Sequence, residues 1–194
     1  MRIPATSPTA LNKALRRFRH NRRGSAAVEF AFVAPLFFAM LFAILETALM
    51  FFASQVLESG TQDSARLMLT NQAQNQKMSQ SEFETNLCDR VKLMFNCGPS
   101  SGANGITVMV KSYPAGTDIP STDLVDPITS GVFTGGSSYV SPTPGSTVLI
   151  RTFYKWPLFV TQLGYNLANL GRNTASPQRL LASTAVFRVE PNGS

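Results

Sequence analysis

Along the chain a polar, basic opening gives way abruptly to an apolar run. Residues 30–45 (FAFVAPLFFAMLFAIL) are sixteen uncharged positions, and after Glu46 the apolar character resumes through Ala53. Twenty-four helical residues over 30–53, at about 1.5 Å each, extend about 36 Å, enough to cross a bilayer core of about 30 Å with some tilt. A buried helix of a soluble protein is the plainer alternative. Against it, seven of the 14 Phe fall between residues 30 and 52, and the run has almost no polar face. A cleaved secretory signal would have a shorter apolar centre followed by a small-x-small site, and no good site follows this run.

Past the run, Val56, Leu57, Gly60, Ser64, Leu67 and Met68 form a small and apolar stripe at helical spacing. This predicts that the helix continues and dissolves in the amide-rich residues 71–76. A second helix is signalled by Ser79-x-x-Glu82, a capping-box pattern, with Phe83, Leu87, Val91 and Met94/Phe95 at helical steps, and should end within 96–99. Strand signals follow over 106–113, 148–156 and 181–190, with alternation clearest at Ser183, Ala185, Phe187 and Val189. Between the first two strands, residues 114–147 are rich in Gly, Ser, Thr and Pro, which predicts a long loop with a short hairpin around 131–140.

The expected fold class is therefore α+β: a long N-terminal transmembrane helix continuing into a body with a second short helix and a small antiparallel sheet. The expected division is a basic leader over 1–24, a membrane helix over 25–54 and an exported body over 55–194. Without leader and span, roughly 140 of the 194 residues remain, enough for one modest core. No internal repeat is present.

Charge sharpens the topology. The formal net charge is +6, which would suit a nucleic-acid partner until it is mapped. Arg2, Lys13, Arg16, Arg17, Arg19, Arg22 and Arg23 crowd the leader with no acidic residue, leaving ten Lys/Arg against 11 Asp/Glu in the rest of the chain. A nucleic-acid surface needs its excess on the folded body, so no nucleic acid is expected as a partner. Positive charge on the N-terminal flank alone places the N-terminus in the cytoplasm and the body outside.

The junction between leader and span carries the most specific signal. Arg22-Arg23-Gly24-Ser25-Ala26-Ala27-Val28-Glu29-Phe30 sets a basic tail, a Gly, small residues and a Glu in order before the apolar run. Here the sequence resembles a type IV prepilin. More narrowly, residues 23–31 followed by Val33-Ala34-Pro35-Leu36 resemble the TadE-like (TadE/TadF) minor pilins, or pseudopilins, of the tight adherence (Flp) pilus. Ile44-Leu45-Glu46, Phe51-Phe52, Ala65-Arg66 and Arg188-Val189-Glu190-Pro191 extend the likeness, whereas residues 71–147 match nothing specific. Thr47-Ala48 departs from the Gly and Arg more usual in such proteins.

The resemblance implies cleavage by a prepilin peptidase between Gly24 and Ser25, which makes Ser25 the first mature residue and Glu29 the fifth. It also implies other major and minor pilins, an inner-membrane secretion platform and inner-membrane lipid as partners. The protein would sit in the bacterial inner membrane as a single-pass protein with a periplasmic pilin-like body, able to enter the surface pilus. Glu29 then has two readings. As an assembly and peptidase-recognition residue, it pairs with the new amine of Ser25 on a neighbouring subunit; as an interfacial acid, it favours the helix start. Glu46, farther along, reads as a residue reaching the outer interface, and Pro35 as a local loosening of the helix.

In the body, Cys88 and Cys97 are the only cysteines. On the exported side a disulfide closing a short loop at the end of the second helix is the favoured reading, worth about 2 to 3 kcal/mol, with free thiols and a metal pair as alternatives. No zinc site is expected, because no His or further Cys is available there. Asp118, Asp123 and Asp126 fit no EF-hand spacing and read as turn formers.

The only His, His20, lies in the leader, so the body has no Ser-His or Cys-His arrangement. It also lacks a nucleophile elbow, a P-loop and a dinucleotide fingerprint. No catalytic residue, cofactor or metal is expected, and an enzyme is not the expected class. Two function classes remain: a minor pilin that assembles or primes an adhesive fibre, and a membrane-anchored periplasmic binding protein outside any pilus.

Overall fold

The computed structural model describes residues 24–70, 72–97, 105–163 and 165–191. The basic leader, residues 1–23, and the turn after Cys97 lie outside the described residues. The chain divides into two compact units, Met1–Ile44 and Leu45–Ser194. Helix α1 (Ser25–Leu69) contributes residues to both.

In the first unit the described residues are helical apart from Gly24, and none of those whose side chains are placed is buried. Pro35 lies inside the helix without ending it. Phe32, Leu36 and Phe37 are all exposed. An all-round apolar surface with no packed face is what a lipid-facing helix presents and what a soluble core helix does not.

The second unit is a helix-on-sheet body. From Met50 onward one face of α1 goes into the core through Ala53, Leu57, Ala65 and Met68, in line with the predicted stripe. Beside it lie a short α2 (Gln72–Asn75) and α3 (Gln80–Val91). The α3 cap forms as the sequence predicts: Ser79 N–H donates to Glu82 Oε2 at 2.7 Å and Glu82 N–H donates to Ser79 Oγ at 3.4 Å. Accepting from the Ser79 backbone, and also from its hydroxyl, holds the Glu82 carboxyl below its ordinary range. The helix stops at Val91, earlier than expected. A further turn, with Phe95 N–H donating to the Val91 carbonyl, still brings Phe95 into the core.

The sheet has the order β4-β1-β5-β6, with β1 Thr107–Tyr113, β4 Ser138–Tyr139, β5 Thr147–Pro157 and β6 Gln178–Arg188. The three long strands are antiparallel as expected, but β4 pairs parallel to β1, so the sheet is mixed. A two-stranded hairpin, β2 Ile128–Thr129 and β3 Val132–Phe133, overlaps the start of the predicted 131–140 region. Its turn residues, Ser130 (φ 50°) and Gly131 (φ 75°), adopt the left-handed backbone that tight hairpins demand.

Each sheet face has its own cover. Val108, Val110, Val148, Ile150, Tyr154 and Leu181 meet the helices, while Phe153, Leu170 and Leu180 form a smaller core with Met109, Ile128 and Phe133 on the other side. Covering both faces explains why β5 is buried without interruption from Val148 to Tyr154.

Candidate functional site

Three places are candidates for function: the Gly24–Ser25 junction, the stretch of α1 around Glu46, and the clasp that holds the long loop on the sheet. At the junction, α1 begins at Ser25 and Gly24 precedes it. A Cβ built on Gly24 would meet nothing within 4 Å, so nothing in the described fold requires glycine there. Glu29, four residues into the helix, is exposed.

Glu46 was expected to reach outward to the interface, and the structure gives it a different role. It is 8% exposed, and its carboxylate accepts the backbone N–H of Phe159 and, at 3.3 Å, that of Val160. These donors open the 3₁₀ turn Val160–Leu163 after β5, where the first N–H groups of a turn have no internal partner. One residue on, the Thr47 hydroxyl is 3.2 Å from the Tyr165 hydroxyl. Glu46 and Thr47 thus tie the helix to the segment between β5 and β6.

The clasp centres on Arg151, which sequence reading passed over. Its side chain is 4% exposed, and Nη2 lies 2.5 Å from Asp126 Oδ1. Nη1 donates to the carbonyls of Val125 (2.6 Å) and Asp123 (3.2 Å), Nε donates to Thr184 Oγ1 at 3.3 Å, and the guanidinium lies 4.8 Å over the Phe153 ring. A planar fork of donors suits this convergence of acceptors. Nearby, Lys111 Nζ donates to Asp123 Oδ1 at 2.6 Å and Tyr113 Oη donates to Asp123 Oδ2 at 2.5 Å. The Lys111 and Tyr113 hydrogen bonds hold the Asp123 carboxyl below its ordinary range. Burial, then the bond to Asp123, push the Tyr113 hydroxyl up to about 12. Asp123 and Asp126, read as turn formers, are loop anchors; the missed signal was an Arg midway along the central strand, in a run buried on both faces.

Cys88 and Cys97 are joined in a disulfide with Cα atoms 5.8 Å apart, closing the loop after α3. Among the described residues no group of three or more His, Cys, Asp or Glu is placed to hold a metal ion.

Fold and site together define a class: an α+β body and a helix whose leading part, Glu29 apart, is apolar, the helix being long and apolar enough to cross a membrane. Comparison with known families gives the class a name over part of its length, for residues 24–66 match the family described as TadE-like protein. The matched stretch opens at Gly24 and closes at Arg66, so it contains Ser25, Glu29 and Glu46, while the resemblance at 188–191 lies outside it. No curated protein and no solved structure matches the chain.

Proposed function

We propose that this chain is a minor pilin, or pseudopilin, that takes part in assembling or priming a tight adherence (Flp-type) pilus for surface attachment. The observation that carries the reading is the coincidence of the TadE-like match with the junction and the apolar helix: it starts at Gly24 and runs through the span. In this reading a prepilin peptidase removes residues 1–24 on the cytoplasmic side. The helix holds the protein in the inner membrane, and the disulfide-bonded body stands in the periplasm without catalytic work of its own. Gly24 supports it further: a glycine that packing does not require is explained by a peptidase that must seat the backbone closely. Its partners are the peptidase, other major and minor pilins and the inner-membrane secretion platform.

Glu29, in this reading, meets the amine of Ser25 on a neighbouring subunit during assembly. Mass spectrometry of membrane-extracted protein should find Ser25 at the N-terminus, and Gly24→Val should block processing. Glu29→Ala should leave insertion and cleavage intact, because it makes the span more apolar. It should abolish pili and crosslinks to the major pilin, since a charge left unpaired in a low-dielectric contact costs several kcal/mol. An uncleaved chain in cells with active peptidase would exclude the pilin reading and leave a membrane-anchored binding protein. Wild-type pili with processed Glu29→Ala would reduce Glu29 to an interfacial acid.

A further inference from the structure

We propose that the tip of the body between β5 and β6, carried by Phe159, is seated in the outer half of the bilayer beside the helix rather than held clear of it. This rests on the membrane-anchor reading above. The argument starts from the exposed surface of α1 within the second unit. Leu45, Leu49, Phe51 and Phe52 are exposed and apolar, whereas Gln55, Glu58, Ser59 and Gln62 are exposed and polar. The change from a lipid-compatible to a water-compatible surface therefore falls between Phe52 and Gln55. Glu46 lies six residues before Phe52, about 9 Å of helix to the apolar side of that change.

A carboxylate at such a depth is costly unless it is bonded. It accepts from the N–H groups of Phe159 and Val160, and those bonds fix the tip at the same level along the helix. The tip has the matching chemistry. Phe159 is 80% exposed, and no charged residue occurs from 156 to 171. Tyr165 sets its hydroxyl against Thr47 while its ring is partly exposed. An aromatic ring with a satisfied polar end is the arrangement favoured where lipid meets water. The occupant inferred is the acyl and headgroup boundary of the outer leaflet. It is contiguous with the apolar helix surface, which a protein partner would have to displace lipid to reach.

The test places one indole at the tip of the full chain. Trp156→Phe removes the only Trp, and Phe159→Trp then supplies the reporter. Leu36→Trp gives a reference in the apolar helix, and Val186→Trp a reference on an exposed position of β6. Each is reconstituted in phosphatidylethanolamine and phosphatidylglycerol vesicles, with and without lipids brominated on the acyl chains. Brominated lipid should quench the Leu36→Trp and Phe159→Trp reporters and spare Val186→Trp, and the tip reporter should resist acrylamide. Quenching at Leu36→Trp with none at Phe159→Trp, together with free access for acrylamide, would overturn the seated tip and leave the anchor standing. A tip reporter shielded from acrylamide yet untouched by brominated lipid would assign the surface to a second copy of the chain, and overturn the proposal equally. No quenching at Leu36→Trp would overturn the anchor reading and this one with it.

Discussion

Helix α1 carries two surfaces on one backbone. Over 25–44 its described side chains are unburied and, Glu29 apart, apolar, while over 45–69 one side is core and the other turns polar after Phe52. Secondary structure is the same in both stretches, so the difference lies in side-chain size and in what is available to cover it. Large residues dominate the first stretch, and among the described residues none of them is buried. In the second, Ala53, Gly60, Thr61, Ser64 and Ala65 are small and buried, allowing a sheet and another helix to approach closely. The Thr61 hydroxyl lies 2.6 Å from that of Thr152 on β5, a contact a larger side chain would prevent. Solvent choice is thus encoded by residue volume as much as by hydrophobicity.

The comparison breaks most readily at the clasp. Arg151→Met should destabilise the second unit by about 2 to 4 kcal/mol, because the Val125 and Asp123 carbonyls and the partly exposed Asp126 carboxylate lose a shared charged donor. Phe32→Ser, in the first stretch, should leave the body's unfolding midpoint unchanged. Urea unfolding in detergent, followed by Trp156 fluorescence, distinguishes the two, and equal effects would show that the two stretches are energetically one. Reduction of the Cys88–Cys97 bond should cost about 2 to 3 kcal/mol in the same assay, with loss centred on the end of α3.

Two glycines sharpen the contrast at smaller effect. A Cβ on Gly60 would lie 2.4 Å from Val91 Cγ1, so Gly60→Ala should cost about 1 to 3 kcal/mol despite a better helix propensity. Gly24→Ala meets no atom and should leave stability unchanged, its consequence being confined to processing.

The smallest effect is in pH. Asp123 is held below its ordinary value of 3.8, so its contribution is complete above that pH and is lost as pH falls through the lower folded value. Tyr113 is raised from 10.0 to about 12, so its contribution is intact below pH 10 and fades as pH rises to about 12. With Lys111 and Asp123 partly exposed, each change should be within about 1 kcal/mol. A tyrosinate absorbance titration should show Tyr113 and Tyr139 titrating late, and in Asp123→Asn Tyr113 should move only part of the way back, because its burial remains.

Much of this body is written in local pattern. The α3 cap, the disulfide ends, and the inward series Ser183, Ala185, Phe187 and Val189 follow from spacing alone, since each depends on neighbours in sequence. What escaped depends on distant partners. The second core gathers Phe153, Leu170 and Leu180, two of which sit in stretches without clear period, under a hairpin two residues to a strand. β4 is likewise two residues long and gains its place from β1 rather than from its own propensity. Glu46 reads as an interfacial acid because its donors, the Phe159 and Val160 amides, carry no side-chain signature. At the junction, Gly24, Ser25 and Glu29 were legible as a motif, and their use by a peptidase or a neighbour is a question for other molecules.

The pairing of Thr61 with Thr152, 91 residues apart in the chain, and of the Glu190 amide with the Leu69 carbonyl, bears on how the body comes to exist. In the proposed topology, a chain delivered helix first crosses the membrane with Ala53, Leu57 and Met68 uncovered, because the strands that bury them are synthesised last. The body cannot close by local steps; it waits for β5 and β6 to arrive, and its contact order makes that closure slow. During that interval the uncovered face of α1 is the segment most in need of a chaperone or a lipid surface, and the gatekeeping step for the body is the arrival of β5 and β6 rather than helix formation.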